Sequence, residues 1–187
     1  MFIQTEQTPN PSTLKFIPGE VVLENGTLFF ENRDEAEVSP LAQVLFEIEG
    51  VSAVFLGADF ITVENDGKDW NDLKPTILGT IMEHYTAGLP IISAGAQNGS
   101  ANADIADDGA DPEIVAQIQE LLDTRVRPAV ARDGGDITYH GFRDGVVYLR
   151  MQGACSGCPS STATLKYGIQ NLLKHYIPEV ESVEPVE

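Results

Sequence analysis

Residues 153–161 read GACSGCPSS and contain both cysteines of the 187-residue chain, Cys155 and Cys158. Upstream, the dipeptide Asp144-Gly145 predicts a β-hairpin whose second strand covers residues 146–151. Downstream, one proline and two serines indicate the start of a helix. The sequence therefore predicts that the two cysteines lie in a loop between the end of a strand and the N-terminus of a helix.

The position of this loop predicts soft-metal or thiol chemistry. A helix N-terminus directs unpaired N–H groups and a positive dipole end at the loop, which favours thiolate over thiol. Ser156 and Gly157 are small, so both sulfurs can approach one centre. A secreted disulfide scaffold would contain more cysteines at wider spacings. We therefore interpret the pair as metal-binding or redox-active in a reducing compartment.

Four interpretations of the Cys155/Cys158 pair remain open from the residues alone. They are two buried small apolar side chains, a dithiol oxidoreductase, half of a zinc site and half of an iron–sulfur site. The preceding hairpin counts against the oxidoreductase, whose cysteines are expected near a βαβ unit. Both metal interpretations require four ligands, and a two-fold homodimer with facing cysteine loops would supply four thiolates.

The three histidines are not expected to complete a metal site within one chain. His140 lies on a predicted strand near the loop, where a solvent-facing side chain is expected. His84 and His175 lie in predicted helices, and we expect both on the surface. The missing ligands are therefore expected from a second copy of the chain.

A change in composition divides the chain into two modules. Residues 93–110 read SAGAQNGSANADIADDGA, in which Ile105 is the single large apolar residue. Such a segment cannot bury enough apolar surface to offset the entropy of ordering, so it is predicted to be a flexible linker. It separates a first module at residues 1–92 from a second module at residues 111–187.

Both modules combine helices with strands, which predicts an α+β protein of two small α/β sandwich domains. In the first module, Ser39-Pro40 is predicted to cap and begin a helix. The TPNP turn at residues 8–11 is interpreted either as a rigid turn or as a partner-binding loop. In the second module, Asp111-Pro112 begins a helix that Pro128 is expected to interrupt, and residues 133–136 (DGGD) are expected to form a tight turn.

Composition and charge exclude some partners. The chain has 29 acidic and 11 basic residues, a formal net charge of −18 and no basic stripe, so nucleic acid is not an expected partner. No stretch approaches the ~18 consecutive apolar residues of a membrane span, so no membrane is expected either. Residues 1–6 lack a leader pattern, which predicts a bacterial cytoplasmic protein, or a mitochondrial matrix protein if a transit peptide has been removed.

The second module resembles the C-terminal domain of NifU-like (Nfu) proteins. The resemblance rests on residues 153–161, on residues 164–166 (TLK) and 168–169 (GI), and upstream on Arg127-Pro128 and residues 133–136. The first module resembles the separate Nfu N-terminal domain, and the two follow one another in the order of that family. Nearly the whole chain outside the predicted linker is covered.

Four segments carry the resemblance of the first module. They are Gln4-Thr5, residues 8–11 (TPNP), residues 14–16 (LKF) and residues 57–63 (GADFITV). The resemblance implies that this module assists the recognition of targets or assembly partners.

The resemblance also implies a scaffold or late-acting carrier of iron–sulfur clusters rather than an enzyme. Cys155 and Cys158 would bind one [4Fe–4S] cluster per homodimer, with [2Fe–2S] as the alternative nuclearity. The cluster would arrive from upstream assembly factors and pass to apo-proteins.

Overall fold

A computed structural model describes residues 2–93, 111–156 and 159–186, with the backbone alone at residues 159–161. The chain divides into two compact units, residues 1–100 and 101–187. Each unit combines helices with one sheet, which confirms the predicted α+β class. The predicted linker from residue 94 onward and Cys158 lie outside the described residues, and the proposed domain boundaries stay predictions.

The first unit is built on a five-stranded antiparallel sheet with the strand order β1-β2-β5-β4-β3. A 3₁₀ turn at Glu35–Val38 precedes its first helix. Its elements are β1 Gln4–Gln7, β2 Thr13–Ile17, β3 Leu28–Phe30, α1 Pro40–Phe46, β4 Val51–Leu56, β5 Ile61–Asn65 and α2 Trp70–Thr86.

The helix starts of the first unit follow the local sequence signals. The Ser39 side chain accepts a hydrogen bond from the backbone N–H of Ala42 at 3.2 Å, and Pro40 occupies the first turn. Asp69 caps α2 in the same way through the backbone N–H of Asn71. Both helices pack their apolar residues against one face of the sheet, which gives a two-layer sandwich. The fully buried members of this core include Phe16, Leu41, Leu45, Leu56, Ile61, Ile77 and Ile81.

The second unit contains a three-stranded sheet with the order β6-β7-β8, in which β6 and β7 are antiparallel and β8 runs parallel to β7. Asp144 and Gly145 both have positive φ angles, 50° and 78°, as a two-residue hairpin turn requires. The predicted hairpin is thereby confirmed. The elements are α3 Pro112–Leu121, α4 Arg127–Arg132, β6 Gly135–Arg143, β7 Val146–Gly153, α5 Pro159–Tyr176 and β8 Ser182–Val186.

The helix before the hairpin is interrupted near Pro128, as the sequence predicts. A π-helical segment, Leu122–Val126, joins α3 to α4. Proline has no N–H to donate and its ring crowds the preceding turn, so the helical hydrogen bonds must be rearranged just before it. The chain thus stays helical up to Arg132 and reaches the sheet next to the cysteine loop.

Among the described residues, no helix is both long enough and apolar enough to cross a membrane.

Candidate functional site

Cys155 lies in a tight turn directly after β7, as the sequence predicts. Gly153 ends the strand with a φ of 63°, a conformation that favours glycine. Its carbonyl accepts hydrogen bonds from the Ser156 N–H at 3.0 Å and the Ser156 hydroxyl at 2.8 Å. The Ala154 N–H donates to the Gly134 carbonyl at 3.2 Å. The loop is therefore fixed both to itself and to the start of β6.

Gly135 and Cys155 approach each other closely because Gly135 has no side chain. A Cβ atom at residue 135 would lie 2.5 Å from the Cys155 sulfur, 2.7 Å from the Gln152 carbonyl oxygen and 2.9 Å from the Cys155 nitrogen. Two of these three atoms belong to the backbone and cannot rotate away. Residue 135 must therefore be glycine for the Cys155 side chain to occupy this position.

A charged pair supports the same corner of the unit. The Arg127 guanidinium donates from Nε and Nη2 to the two carboxylate oxygens of Asp136, both at 2.9 Å, and from Nη1 to Asp123 at 3.0 Å. The Asp136 side chain is only 4% exposed and also accepts the Ile137 N–H at 2.8 Å. These hydrogen bonds raise the pKa of Arg127 above its usual range. The pair ties α4 to the beginning of β6, one residue beyond Gly135.

The expected tight turn at residues 133–136 is confirmed in part. Asp133 follows the end of α4, and Gly134 has a φ of 84°. The strand β6 already begins at Gly135, however, and Asp136 is a buried ion-pair partner. Arg127 was singled out in the sequence only as part of a family resemblance. Its spacing of nine residues from Asp136 gives no local signal for a contact.

The pKa of Cys155 differs from the prediction. The side chain is 5% exposed, and burial together with the nearby charges of Asp133 and Asp136 raises its pKa to about 12. The expectation that the following helix favours a Cys155 thiolate is therefore wrong for this closed loop, because desolvation and negative charge outweigh the helix N-terminus. The α5 residue Thr162 instead donates its hydroxyl to the Cys155 carbonyl at 3.2 Å.

Two of the three histidine predictions are wrong. His140 is 5% exposed and lies at an irregularity of the β6–β7 pairing between Tyr139 and Gly141. His84 is 3% exposed on α2, with Nε2 placed 3.1 Å from the Pro90 carbonyl. Only His175 is on the surface as expected.

The described part of the chain contains no group of three or more His, Cys, Asp or Glu side chains arranged to hold a metal ion. The structure thus places Cys155 in the predicted loop but does not test the ligand pair, because Cys158 lies outside the described residues.

Comparison with protein families identifies both units. Residues 3–88 match the family described as scaffold protein Nfu/NifU N terminal, and residues 118–184 match the NifU-like domain. The succession of these two domains defines a modular scaffold protein. The chain belongs to the Nfu (NifU-like) family of iron–sulfur cluster scaffolds. This finding confirms the resemblance noted in both modules.

Similar proteins cover the whole chain. This chain is 56% identical to the human protein named NFU1 iron-sulfur cluster scaffold homolog, mitochondrial. The alignment spans 188 residues and includes 100% of this chain and 72% of the human protein. The proteins of the same name from Drosophila sechellia and Drosophila ananassae are each 53% identical. The chain covers 65% and 64% of those two proteins, which is slightly under two thirds of their length.

Solved structures resemble parts of the chain. A solution structure of a NifU-like protein from Saccharomyces cerevisiae is 31% identical, covers 50% of this chain and 86% of its own, and gives a TM-score of 0.46. The crystal structure of SAV1430 from Staphylococcus aureus is 24% identical, covers 43% of this chain and 99% of its own, and gives a TM-score of 0.39.

Proposed function

We propose that this chain is a carrier that binds a labile [4Fe–4S] cluster through Cys155 and Cys158 of two identical chains and transfers it to apo-proteins. The observation that carries the proposal is the position of Cys155 in a loop at the strand-to-helix junction of a NifU-like domain. The cluster is the cargo of this protein, and no chemical conversion of a substrate is proposed.

The number of sulfurs supports a site shared between two chains. The sequence has two cysteines, both in this loop, whereas a cluster of this type is held by about four thiolates. A two-fold dimer of facing loops provides that number with identical contacts from each chain. A [2Fe–2S] cluster would use the same ligands, so nuclearity is an outcome of the experiment below.

The burial of Cys155 bears on how such a site would be loaded. In the closed loop the sulfur packs against Gly135 and is shielded from solvent. A shared cluster requires the sulfur to face a second chain, so the loop must turn outward when cluster is bound. This movement would break hydrogen bonds that hold the closed turn, among them those from Ser156 to the Gly153 carbonyl and from Ala154 to the Gly134 carbonyl.

Transfer would proceed by ligand exchange. Each thiolate of the apo-protein forms one bond to iron as one bond from Cys155 or Cys158 breaks, and the displaced sulfur takes up the proton that the incoming thiol released. Iron and sulfide keep their oxidation states. Return of Cys155 to its buried position would oppose rebinding of the cluster. A site at the interface of two chains also comes apart when the two chains separate.

The names of the relatives support a proposed compartment. The curated relatives named above are mitochondrial, which supports the mitochondrial matrix among the two predicted locations; no relative named here supports the bacterial cytoplasm. Apo iron–sulfur proteins and upstream assembly factors are the proposed partners.

Anaerobic reconstitution with ferrous iron and sulfide tests the proposal. We expect a brown dimer with about four irons and four sulfides per pair of chains. Cys155→Ser and Cys158→Ser should each lose the cluster and stay folded by circular dichroism. His175→Gln is the matched control, because it removes an exposed metal-binding side chain from the same unit and should load normally.

Two results would reject the proposal in favour of a named rival. Stoichiometric zinc in a colourless dimer without sulfide would identify a zinc-linked dimer. Reduction of insulin disulfides by a chain that takes up no iron would identify a thiol–disulfide oxidoreductase.

A further inference from the structure

The first unit contains a groove far along the sequence from the cysteine loop. It encloses about 560 Å³ and lies between β1, the turn that follows it and the first turns of α2. This volume is in the range of sites that hold small ligands or short peptides. Its lining includes Thr5, Gln7, Pro11, Trp70 and Lys74.

The groove lies on the face of β1 that continues the core surface of the sheet. Thr5 pairs with Phe16 and Gln7 pairs with Leu14, and both partners on β2 belong to the core between sheet and helices. Side chains of directly paired residues lie on the same face of a sheet. The face of β1 that continues the core surface therefore carries a threonine and an exposed glutamine instead of large apolar residues.

One wall of the groove is rigid before any ligand binds. In the turn from Thr8 to Thr13, the Asn10 carbonyl accepts hydrogen bonds from the Thr8 hydroxyl at 2.7 Å and from the Thr13 N–H at 3.0 Å. The Trp70 indole N–H donates to the Pro11 carbonyl at 3.1 Å, which ties the turn to α2. A preformed wall lowers the conformational entropy that the protein must lose when a ligand binds.

The groove carries a local positive charge in a strongly acidic protein. Lys74 lines it, and none of its other lining residues is charged. In the same unit Lys68 is paired with Glu49, whereas Lys74 has no ion pair or hydrogen bond with any residue that the structure describes.

The neighbouring acidic groups that the structure describes form no ion pair with Lys74. Glu6 alternates to the other face of β1, where it pairs with Lys15. Asp69 is occupied as the cap of α2. Asp72 lies two positions before Lys74 on α2, a spacing at which two side chains do not face each other.

The edge of β1 adds a second binding element along the same strand. Among the described strands, β1 pairs with β2 alone and is the edge of its sheet. Alternate residues of an edge strand direct N–H and C=O groups away from their only neighbour. An extended peptide can pair with these groups while its side chains enter the groove.

We propose that this groove binds an extended, acidic peptide segment of a partner protein, which pairs with the open edge of β1 and places a carboxylate against Lys74. The cysteine loop takes no part in this binding. Failure of cluster binding at Cys155 would therefore leave the peptide site intact, and the reverse also holds.

Selection from a displayed library of random heptapeptides on the metal-free full chain tests the proposal. We expect enrichment of peptides with at least one Asp or Glu. Synthetic versions of the enriched peptides should change the fluorescence of Trp70, the only tryptophan of the chain. Their affinity should fall at least tenfold for Lys74→Glu and stay within about threefold for Lys74→Arg. Lys174→Glu, a charge reversal at an exposed lysine of the second unit, is the matched control and should bind normally.

Several outcomes would overturn the proposal. The first is a set of enriched peptides without a bias toward Asp or Glu. The second is a set of enriched peptides that binds Lys74→Glu as well as the unchanged chain, provided that this variant unfolds at the same temperature. Another is an equal Trp70 response to inorganic phosphate, which would identify a small-anion site. Self-association of the metal-free chain that Lys74→Glu abolishes would identify a second copy as the occupant. Finally, backbone nitrogens of the bound peptide can be methylated at alternate positions, in either of two sets. One of the two sets must weaken binding if the peptide pairs with the edge of β1, and no effect of either set would show that this edge is not used.

Discussion

The Cys155 sulfur packs into the space that Gly135 leaves at the beginning of β6, where a Cβ atom would come within 2.5 Å of it. This contact joins two segments that are 20 residues apart in sequence. Because the neighbouring Asp136 is held by Arg127, the position of the sulfur depends on the start of α4, the start of β6 and the loop together.

The first prediction concerns Gly135→Ala. The added methyl group would collide with the Gln152 carbonyl oxygen and the Cys155 nitrogen as well as with the sulfur, so the loop must shift as a whole. We expect a loss of about 1–3 kcal/mol of unfolding free energy, typical of overpacking in a filled site. After reconstitution, bound iron and sulfide should stay near the level of the unchanged chain, because Cys155 must leave this contact to bind the cluster. Both quantities are measurable on one preparation, by urea unfolding and by metal analysis.

Gly168→Ala provides the matched control for this prediction. Residue 168 lies on an exposed position of α5, and a Cβ atom there has no neighbour within 4 Å. Alanine is favoured over glycine inside a helix by up to about 1 kcal/mol, so this variant should be slightly more stable. A severalfold loss of iron and sulfide in Gly135→Ala, but not in Gly168→Ala, would show that the closed contact is itself needed for loading.

The second prediction concerns the ion pair behind the loop. Arg127→Gln leaves the buried Asp136 carboxylate without its two strongest hydrogen bonds, and the second unit should lose about 2–4 kcal/mol of unfolding free energy. Arg127→Lys should recover only part of the loss, because an ammonium group cannot donate in the two-pronged geometry. Circular dichroism during urea unfolding measures both.

A more exposed pair of the same unit is the comparison. Lys166 and Glu184 lie 2.8 Å apart with side chains that are 25% and 47% exposed, so Lys166→Gln should cost less than about 1 kcal/mol. Equal effects of the two substitutions would mean that burial of Asp136 does not set the strength of its pairing.

Local signals in the sequence predicted much of this fold. Ser39-Pro40 and Asp111-Pro112 begin helices, and Asp144-Gly145 forms the hairpin turn, because each pattern acts through backbone geometry within a few residues. The position of Cys155 between a strand and a helix followed from the same kind of signal.

Properties that depend on packing between distant segments were not predictable. The burial of Cys155 requires Gly135, and the burial of His84 requires the chain that returns along α2 to Pro90. The parallel pairing of β8 with β7 likewise has no signal in the local sequence. A helix N-terminus favours a thiolate only where desolvation and nearby negative charge do not outweigh it, and that balance is a tertiary property.

The third prediction is that the metal-free loop protects Cys155 from alkylation. In a Cys158→Ser variant, Cys155 is the single thiol, and burial with a pKa raised to about 12 should slow its reaction with iodoacetamide at pH 8 by at least tenfold relative to the unfolded chain. Mass spectrometry of timed samples gives the rate. Adding Gly135→Ala should increase this rate, since it displaces the sulfur. A rate equal to that of the unfolded chain would show that the loop is open most of the time.

The last prediction concerns acid stability of the first unit. Burial lowers the pKa of His84 below its ordinary value of 6.5, although the Pro90 carbonyl partly offsets this effect. The unfolded chain then binds a proton more tightly than the folded one. The stabilising contribution of neutral His84 is complete above pH 6.5 and is lost as the pH falls through the lowered folded-state pKa, by at most about 1.4 kcal/mol per pH unit.

Trp70 belongs to this unit and follows its unfolding by fluorescence. Urea midpoints measured between pH 7.5 and 5 should fall with pH in the unchanged chain and vary less in His84→Gln, whose amide can still donate to the Pro90 carbonyl. His175→Gln, at an exposed position of the second unit, should keep the pH dependence of the unchanged chain. Parallel curves for the unchanged chain and His84→Gln would mean that carboxylates, rather than the buried imidazole, control acid unfolding of this unit.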